Sequence, residues 1–298
     1  MAAPDDDLPT LLQRKDHINV LRYVRAHQLR EPLIVVEHGK ALLGPEFKRK
    51  LGDENARLAA LEQIALSALD LQQHEVAAMC LDRLKATIGK EAVRFRVLLG
   101  RCLEAAGDTK GAMSIYDDLL STNPANLAVL KRKYCLAEKP VERMAALNHY
   151  LQQNMADSAA WFEMANLRLT MGDFVGASFA LEEVVLGCPI DAPIHIQLAE
   201  VYATIGGIDN LQLARKHMAQ ALELDGTNKR AMFGLLSVSN SYLVAVSNAS
   251  KKQAVDEHST EVAKELVKYG ADKILKQYKG TKMYAAVQTL VGQYTKGL

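Results

Sequence analysis

Among the side chains in this 298-residue sequence with the means to ligate a metal or attack a carbonyl are eight histidines and four cysteines. The histidines are His17, His27, His38, His74, His149, His195, His217 and His258, and the cysteines are Cys80, Cys102, Cys135 and Cys188. Metal sites on helices need donors repeated at turn spacing, and thiol chemistry usually announces itself as CxxC or as a nucleophile motif. The histidines do not pair at helical metal spacing with Cys, Glu or another His in a shared motif, and no cysteine pair stands at CxxC spacing. The Gly206-Gly207 pair lies between two helical stretches rather than after a strand, so it is not a phosphate-cradling loop. Catalysis is not indicated, and an enzyme reading would need a metal or cofactor on the purified chain.

Binding chemistry is the remaining class, and bulk charge narrows it. The formal net charge is +1, which does not draw the chain toward nucleic acid or an anionic membrane. The basic triplet Lys131-Arg132-Lys133 has no interleaved aromatics of the kind that stack on single-stranded bases, so a solvated helix face is the simpler reading and nucleic acid is not expected as a partner. From Lys251 onward nine lysines stand against five acidic residues; this reads as a solvated face or as contact with an acidic partner or headgroups. Scattered, unpaired thiols suit a reducing compartment, with cytosol the simplest reading. The acidic start, Asp5 to Asp7, is a charged tail or cap and lacks the basic-then-apolar order of a leader. The uncharged run from Met232 to Ser250 is too rich in Ser and Asn to enter a bilayer. We expect a soluble chain without a membrane span.

The elements that present such a surface are helices. Hydrophobic residues make up 49% of the chain and aromatics only 6%, and no strand-like alternation interrupts the helical spacing. One series recurs four times: Ala77, Leu81, Leu84, Gly89; Ala112, Tyr116, Leu119, Pro124; Ala177, Leu181, Val184, Pro189; and Ala214, Met218, Ala221, Gly226. Steps of four and three keep one helix face apolar, and the closing Pro or Gly ends the helix. Ahead of each series runs another apolar helix with a small residue, Ala65, Gly100, Ala165 or Ala199. In three units this residue precedes the small residue of the second helix by twelve positions, the separation at which two antiparallel helices joined by a tight turn meet. The turns are Ala106-Gly107-Asp108 and Met171-Gly172-Asp173. In the last unit the separation is fifteen, and the loop Gly206 to Asn210 absorbs the extra residues.

With Trp161, Ala165, Gly172, Ala177, Leu181 and Pro189, the pattern resembles a tetratricopeptide repeat, whose period is about 34 residues. The expected fold is therefore all-α: helical hairpins stacked into a right-handed superhelix, a tetratricopeptide-repeat solenoid with helical caps at both ends. We read residues 1–57 as an N-terminal helical cap with two helices parted near Arg30-Glu31-Pro32, and residues 58–246 as the repeat array. Residues 247–298 are read as a C-terminal helical cap with a polar break at 247–252 and helices near 254–278 and 281–295. The repeats run roughly 58–91, 93–124, 125–157, 158–191 and 192–228. The third is degenerate, because Arg143 stands where the small residue should be. In repeats of this type the first helices line the concave face. Val97, Phe162 and Ile196 then form an apolar row, with Arg94, Arg101, Asn166 and Glu200 around it. Two readings stand: a groove gripping a partner segment, or core covered by neighbouring hairpins. Trp161 is read as packing between helices.

Beyond the generic repeat, particular residues resemble the family of subunit 2 of the endoplasmic reticulum membrane protein complex. They include Lys50-Leu51-Gly52-Asp53, Ala77 with Cys80-Leu81, Tyr116-Asp117, Lys131-Arg132-Lys133, Tyr150-Leu151 and Leu181-Glu182-Glu183. The longest block runs from Ala199-Glu200-Val201 through Gly206-Gly207, Asn210-Leu211 and Arg215-Lys216 to Phe233-Gly234-Leu235. The resemblance covers about residues 46 to 240. It implies a non-catalytic scaffold on the cytosolic face of the endoplasmic reticulum, peripheral through its partner subunits, membrane-embedded and cytosolic. Such a scaffold cradles cytosolic segments of its neighbours within a machine that inserts tail-anchored and multipass proteins. No cofactor is implied. The rival within the binding class is a soluble adaptor for the C-terminal tail of a heat-shock chaperone. That clamp would want a Lys and an Asn one turn apart, whereas Asn166 follows Phe162 and Arg101 follows Val97.

Overall fold

A computed structural model describes residues 6–44, 47–248 and 257–296. Asp5 and residues 249–252 of the expected polar break lie outside the described residues. The helices are α1 (Leu8–Gln13), α2 (His17–Ala26), α3 (Pro32–Leu42), α4 (Phe47–Lys50), α5 (Glu54–Asp70), α6 (His74–Ile88), α7 (Val93–Ala105), α8 (Thr109–Thr122) and α9 (Leu127–Leu136). They continue as α10 (Pro140–Gln153), α11 (Ser158–Thr170), α12 (Phe174–Gly187), α13 (Ala192–Ile205), α14 (Ile208–Leu224), α15 (Lys229–Asn248), α16 (Glu257–Tyr278) and α17 (Tyr284–Thr295). No strand occurs among the described residues. The chain divides into two compact units, Met1–Ala137 and Glu138–Leu298, and the division falls within the degenerate third repeat.

Local chemistry starts and stops these helices. The first backbone N–H groups of a helix have no partner inside it, and a short acidic or amide side chain just ahead supplies one. Asp53 caps α5 through Ala56, Asp108 caps α8 through Gly111, Asn126 caps α9 through Val129, Asp157 caps α11 through Ala160 and Asp173 caps α12 through Gly176. Within the second and fourth hairpins the residue before the cap is a left-handed glycine, Gly107 at φ 82° and Gly172 at φ 76°. A side chain there would meet its own carbonyl, which is why glycine stands at both turns.

In the first unit the apolar faces of α2, α3, α5, α6 and α7 share one core containing Leu21, Val35, Ile64, Ala77 and Leu84. The N-terminal region differs from the expected pair of helices. Lys15, at φ 53°, breaks the first of them, and Asp16 caps a new helix, α2, by accepting from the Asn19 backbone. The boundary read at 57/58 falls inside α5, whose cap is Asp53, and the one read at 246/247 falls inside α15.

In the second unit α11 packs on α12, α13 on α14 and α15 on α16, with α17 against α16. The last of these hairpins is tied to its neighbour by a buried arginine. Arg215 of α14 donates to the Ser259 carbonyl at 2.9 Å and to its hydroxyl at 2.8 Å, and its guanidinium lies 4.6 Å over the Tyr242 ring. The Tyr242 hydroxyl closes the set on Ser259 Oγ at 3.1 Å. The small residues read as helix contacts, Ala65, Ala77, Ala112, Ala165, Ala177, Ala199 and Ala214, are all buried. At Gly100 the requirement is more specific, since an added Cβ would sit 2.5 Å from the Tyr116 ring.

Candidate partner-binding face

The first helices of successive hairpins are joined side by side through polar side chains about thirty residues apart. In the first unit Arg94 of α7 grips Glu62 of α5 in a two-pronged pair, 2.7 Å from Nε and 2.9 Å from Nη2. One hairpin on, Arg132 of α9 grips Glu104 of α7 with Nε at 3.1 Å and Nη2 at closer range. In the second unit Gln197 of α13 donates to Asn166 of α11 at 3.2 Å, and Arg230 of α15 grips Glu200 of α13 through Nε at 2.6 Å and through Nη2. Paired forks of this geometry fix the register of neighbouring helices as well as adding energy.

The Glu104 carboxylate is the most enclosed of these anions, and the Tyr116 hydroxyl also donates to it at 2.5 Å. Burial and the carboxylate together push the Tyr116 phenol far above its ordinary range, and hydrogen bonding to Glu104 raises the Arg132 guanidinium. The basic triplet is thus not simply solvated: Arg132 serves Glu104, and Lys133 pairs with Asp117 at 2.6 Å. Sequence reading missed these links because each joins residues 28 to 32 positions apart. The available signal was an acid on one first helix followed, about one repeat later, by an arginine.

Three of the residues read as groove-lining come together. Arg94, Val97 and Arg101 border a cleft of about 290 Å³ with Glu62, Leu66 and Asn126, all within the first unit. Arg94 is already engaged by Glu62, which raises its pKa, whereas Arg101, half-buried, forms no ion pair among the described residues. The cleft therefore offers apolar wall from Val97 and Leu66 and one uncommitted cation. The other four residues lie in the second unit. Phe162 is half-buried, Asn166 is taken up by Gln197, and Glu200 by Arg230. Ile196 is 3% exposed and belongs to the core. Helix α13 is covered by α12 and α14 and touched by α15, so its side chains are enclosed from several directions and an open row does not reach Ile196.

The histidines, dismissed from their sequence spacing, meet across helices. His17 and His38 approach Nδ1 to Nδ1 at 3.0 Å, and so do His195 and His217. His195 Nε2 is also 3.0 Å from the Pro189 carbonyl, so it carries the proton, Nδ1 accepts, and His217 Nδ1–H must donate. Burial, then the neighbouring histidine, lowers the pKa of both His38 and His217. No group of three or more His, Cys, Asp or Glu side chains that could hold a metal ion occurs among the described residues. Burial pushes the Cys80 thiol up to about 12, far from a reactive thiolate.

An all-helical array of capped hairpins, with the double-Gly insertion between α13 and α14, invites comparison with known repeat proteins. ER membrane protein complex subunit 2 of Xenopus tropicalis is 36% identical over 238 residues, 79% of this chain and 75% of that protein. The chain belongs to this family. Its domain, described as the EMC2 TPR-like repeat domain, matches residues 76–210, from α6 into the start of α14. The subunit 2 of Dictyostelium discoideum is 29% identical over 210 residues, 70% of this chain and 65% of that protein. Among solved structures, one titled for Pseudomonas aeruginosa pilF superposes with a TM-score of 0.46 at 14% identity, over 78% of this chain and 97% of that one. Membership of the subunit 2 family agrees with the tetratricopeptide character of the hairpins. No helix among the described residues is long and apolar enough to cross a membrane.

Proposed function

We propose that the chain is a non-catalytic scaffold subunit of the endoplasmic reticulum membrane protein complex, held peripherally on the cytosolic side. There it supports insertion of tail-anchored and multipass proteins by gripping cytosolic segments of neighbouring subunits. Family membership carries this reading, since the relatives are named as subunits of that complex. The cleft around Val97 and Arg101 supports it physically: an apolar wall beside one unpaired guanidinium suits an extended segment with an apolar anchor and a carboxylate. The adaptor reading loses support, because no lysine stands one turn before Asn166, where the chain has Phe162.

The test is a mild-detergent native purification of the tagged chain from its own cells, read by crosslinking mass spectrometry. Integral endoplasmic reticulum proteins, with crosslinks near Val97 and Arg101, are the expected result. Recovery of soluble chaperones alone, or of nothing stoichiometric, overturns the proposal.

A further inference from the structure

The second helices of the hairpins turn their outer faces to solvent, and in α8 and α12 the same positions can be compared one for one. Asp108 and Asp173 cap them, Ala112 and Ala177, Tyr116 and Leu181, and Leu119 and Val184 form the buried faces, and Pro124 and Pro189 follow them. On the outer face of α8 stand Lys110, Ser114 and Ser121, all exposed. The matching residues of α12 are Val175, Phe179 and Leu186, which are 67%, 53% and 77% exposed. Within α12 they make an apolar stripe at steps of four and seven, and Ile190, 82% exposed, stands in the turn just beyond the helix. That spacing is the seam one helix presents to another.

The charges point the same way. Both helices carry an acidic pair in the middle of this face, Asp117-Asp118 in α8 and Glu182-Glu183 in α12. In α8 both acids are neutralised, Asp118 by Arg96 at 2.9 Å and Asp117 by Lys133 at 2.6 Å. The positions equivalent to those two cations hold Trp161 in α11 and Leu198 in α13. The Trp161 and Phe179 rings meet nearly perpendicular with centroids 5.9 Å apart, Leu198 is buried, and neither Glu182 nor Glu183 has an ion pair among the described residues. Among the described residues Glu182 accepts from the neutral hydroxyl of Tyr202. The carboxylates have kept their place while their internal cations have become apolar.

We propose that the outer face of α12 docks an amphipathic helix of another protein. The docked helix would carry an apolar stripe interrupted at its centre by Lys or Arg, which would meet Glu182 and Glu183. A second copy of this chain would bring carboxylates against carboxylates, and anionic headgroups would meet the same repulsion. The surface is separate from the cleft at Val97 and Arg101, so either can fail without the other.

The experiment places a photo-crosslinking amino acid at position 190 of the full chain in its own cells, with position 121 on α8 as control, and sequences the captured peptide. The expected product is a helical segment with an apolar stripe and central basic residues. Its yield should fall by at least about tenfold in V175K/F179S/L186S, which gives α12 the outer face of α8, and several-fold in E182Q/E183Q. Unchanged thermal melting of these variants confirms that the fold is kept, and crosslinking from position 97 reports the other surface. Capture of a second copy, of lipid or of an acidic segment, yield no higher than at position 121, or yield unaffected by the triple variant overturns the proposal.

Discussion

The second and fourth hairpins share one backbone plan and differ in what fills it. Gly100 lies under the ring of Tyr116 in the second, and Ala165 with Leu181 occupies the same positions in the fourth. A large ring is accommodated by removing a methyl group opposite, so packing volume is conserved while the residues change. The polar surroundings diverge further. Tyr116 donates to a carboxylate that Arg132 neutralises permanently, whereas Tyr202 donates to Glu182, near His217, which titrates. One repeat frame thus holds a fixed ion pair at one place and, at another, a carboxylate beside a histidine whose pKa burial lowers.

The sharpest way to break the packing comparison is Gly100→Ala. The rigid Tyr116 ring has to move, and a loss of about 3 kcal/mol in urea unfolding is expected. The double variant Gly100→Ala with Tyr116→Leu copies the fourth hairpin and should recover part of that loss. If the double variant is as unstable as the sum of the two single ones, size compensation is not the reason for the Gly–Tyr pair.

The next effect in size is expected from acid. The pKa of His217 is lowered in the folded chain, so it stays neutral there while the unfolded chain binds a proton. Stability is fully present above the unfolded histidine value and is lost as pH falls below about 6.5, by at most about 1.4 kcal/mol per pH unit for this group. His38, lowered in the same way, adds to the slope. Melting curves from pH 7.5 to 5.5 should show a shallower fall in His217→Gln.

Helix caps should behave alike in both hairpins. Asp108→Ala and Asp173→Ala should each cost about 1 kcal/mol by chemical denaturation, with Asp173 the costlier because it also pairs with Arg168 at 2.8 Å. The smallest effect on stability is expected from exchanging the outer faces. Each substitution in V175K/F179S/L186S touches an exposed position and should shift stability by under about 0.5 kcal/mol. A large loss there would mean that the α12 stripe is packed within the chain rather than offered to a partner.

Much of the architecture could be read from residue spacing. The turns at Gly107 and Gly172 and the stops at Gly89, Pro124 and Pro189 fall where the pattern placed them. Such features depend on side chains within one or two turns of each other, so a linear reading reaches them. The extra break at Lys15 was missed although Asp16 offered a cap, because apolar periodicity continues across it. Of the candidate face, Arg94, Val97 and Arg101 do border one cleft. Ile196 shares their helical phase and is nevertheless buried, since phase gives the direction of a side chain and not what lies beyond it.

The amino-acid sequence by itself determined the helices, their caps and their pairing into hairpins, because those follow from hydrogen bonds and apolar contacts between near neighbours in the chain. Tertiary structure alone decided that Glu62 meets Arg94, Glu104 meets Arg132 and His195 meets His217, and that Glu183 meets no cation within the described chain. Those outcomes depend on how one hairpin is set against the next, where a small change in packing selects a different neighbour and leaves the local pattern of residues unaltered.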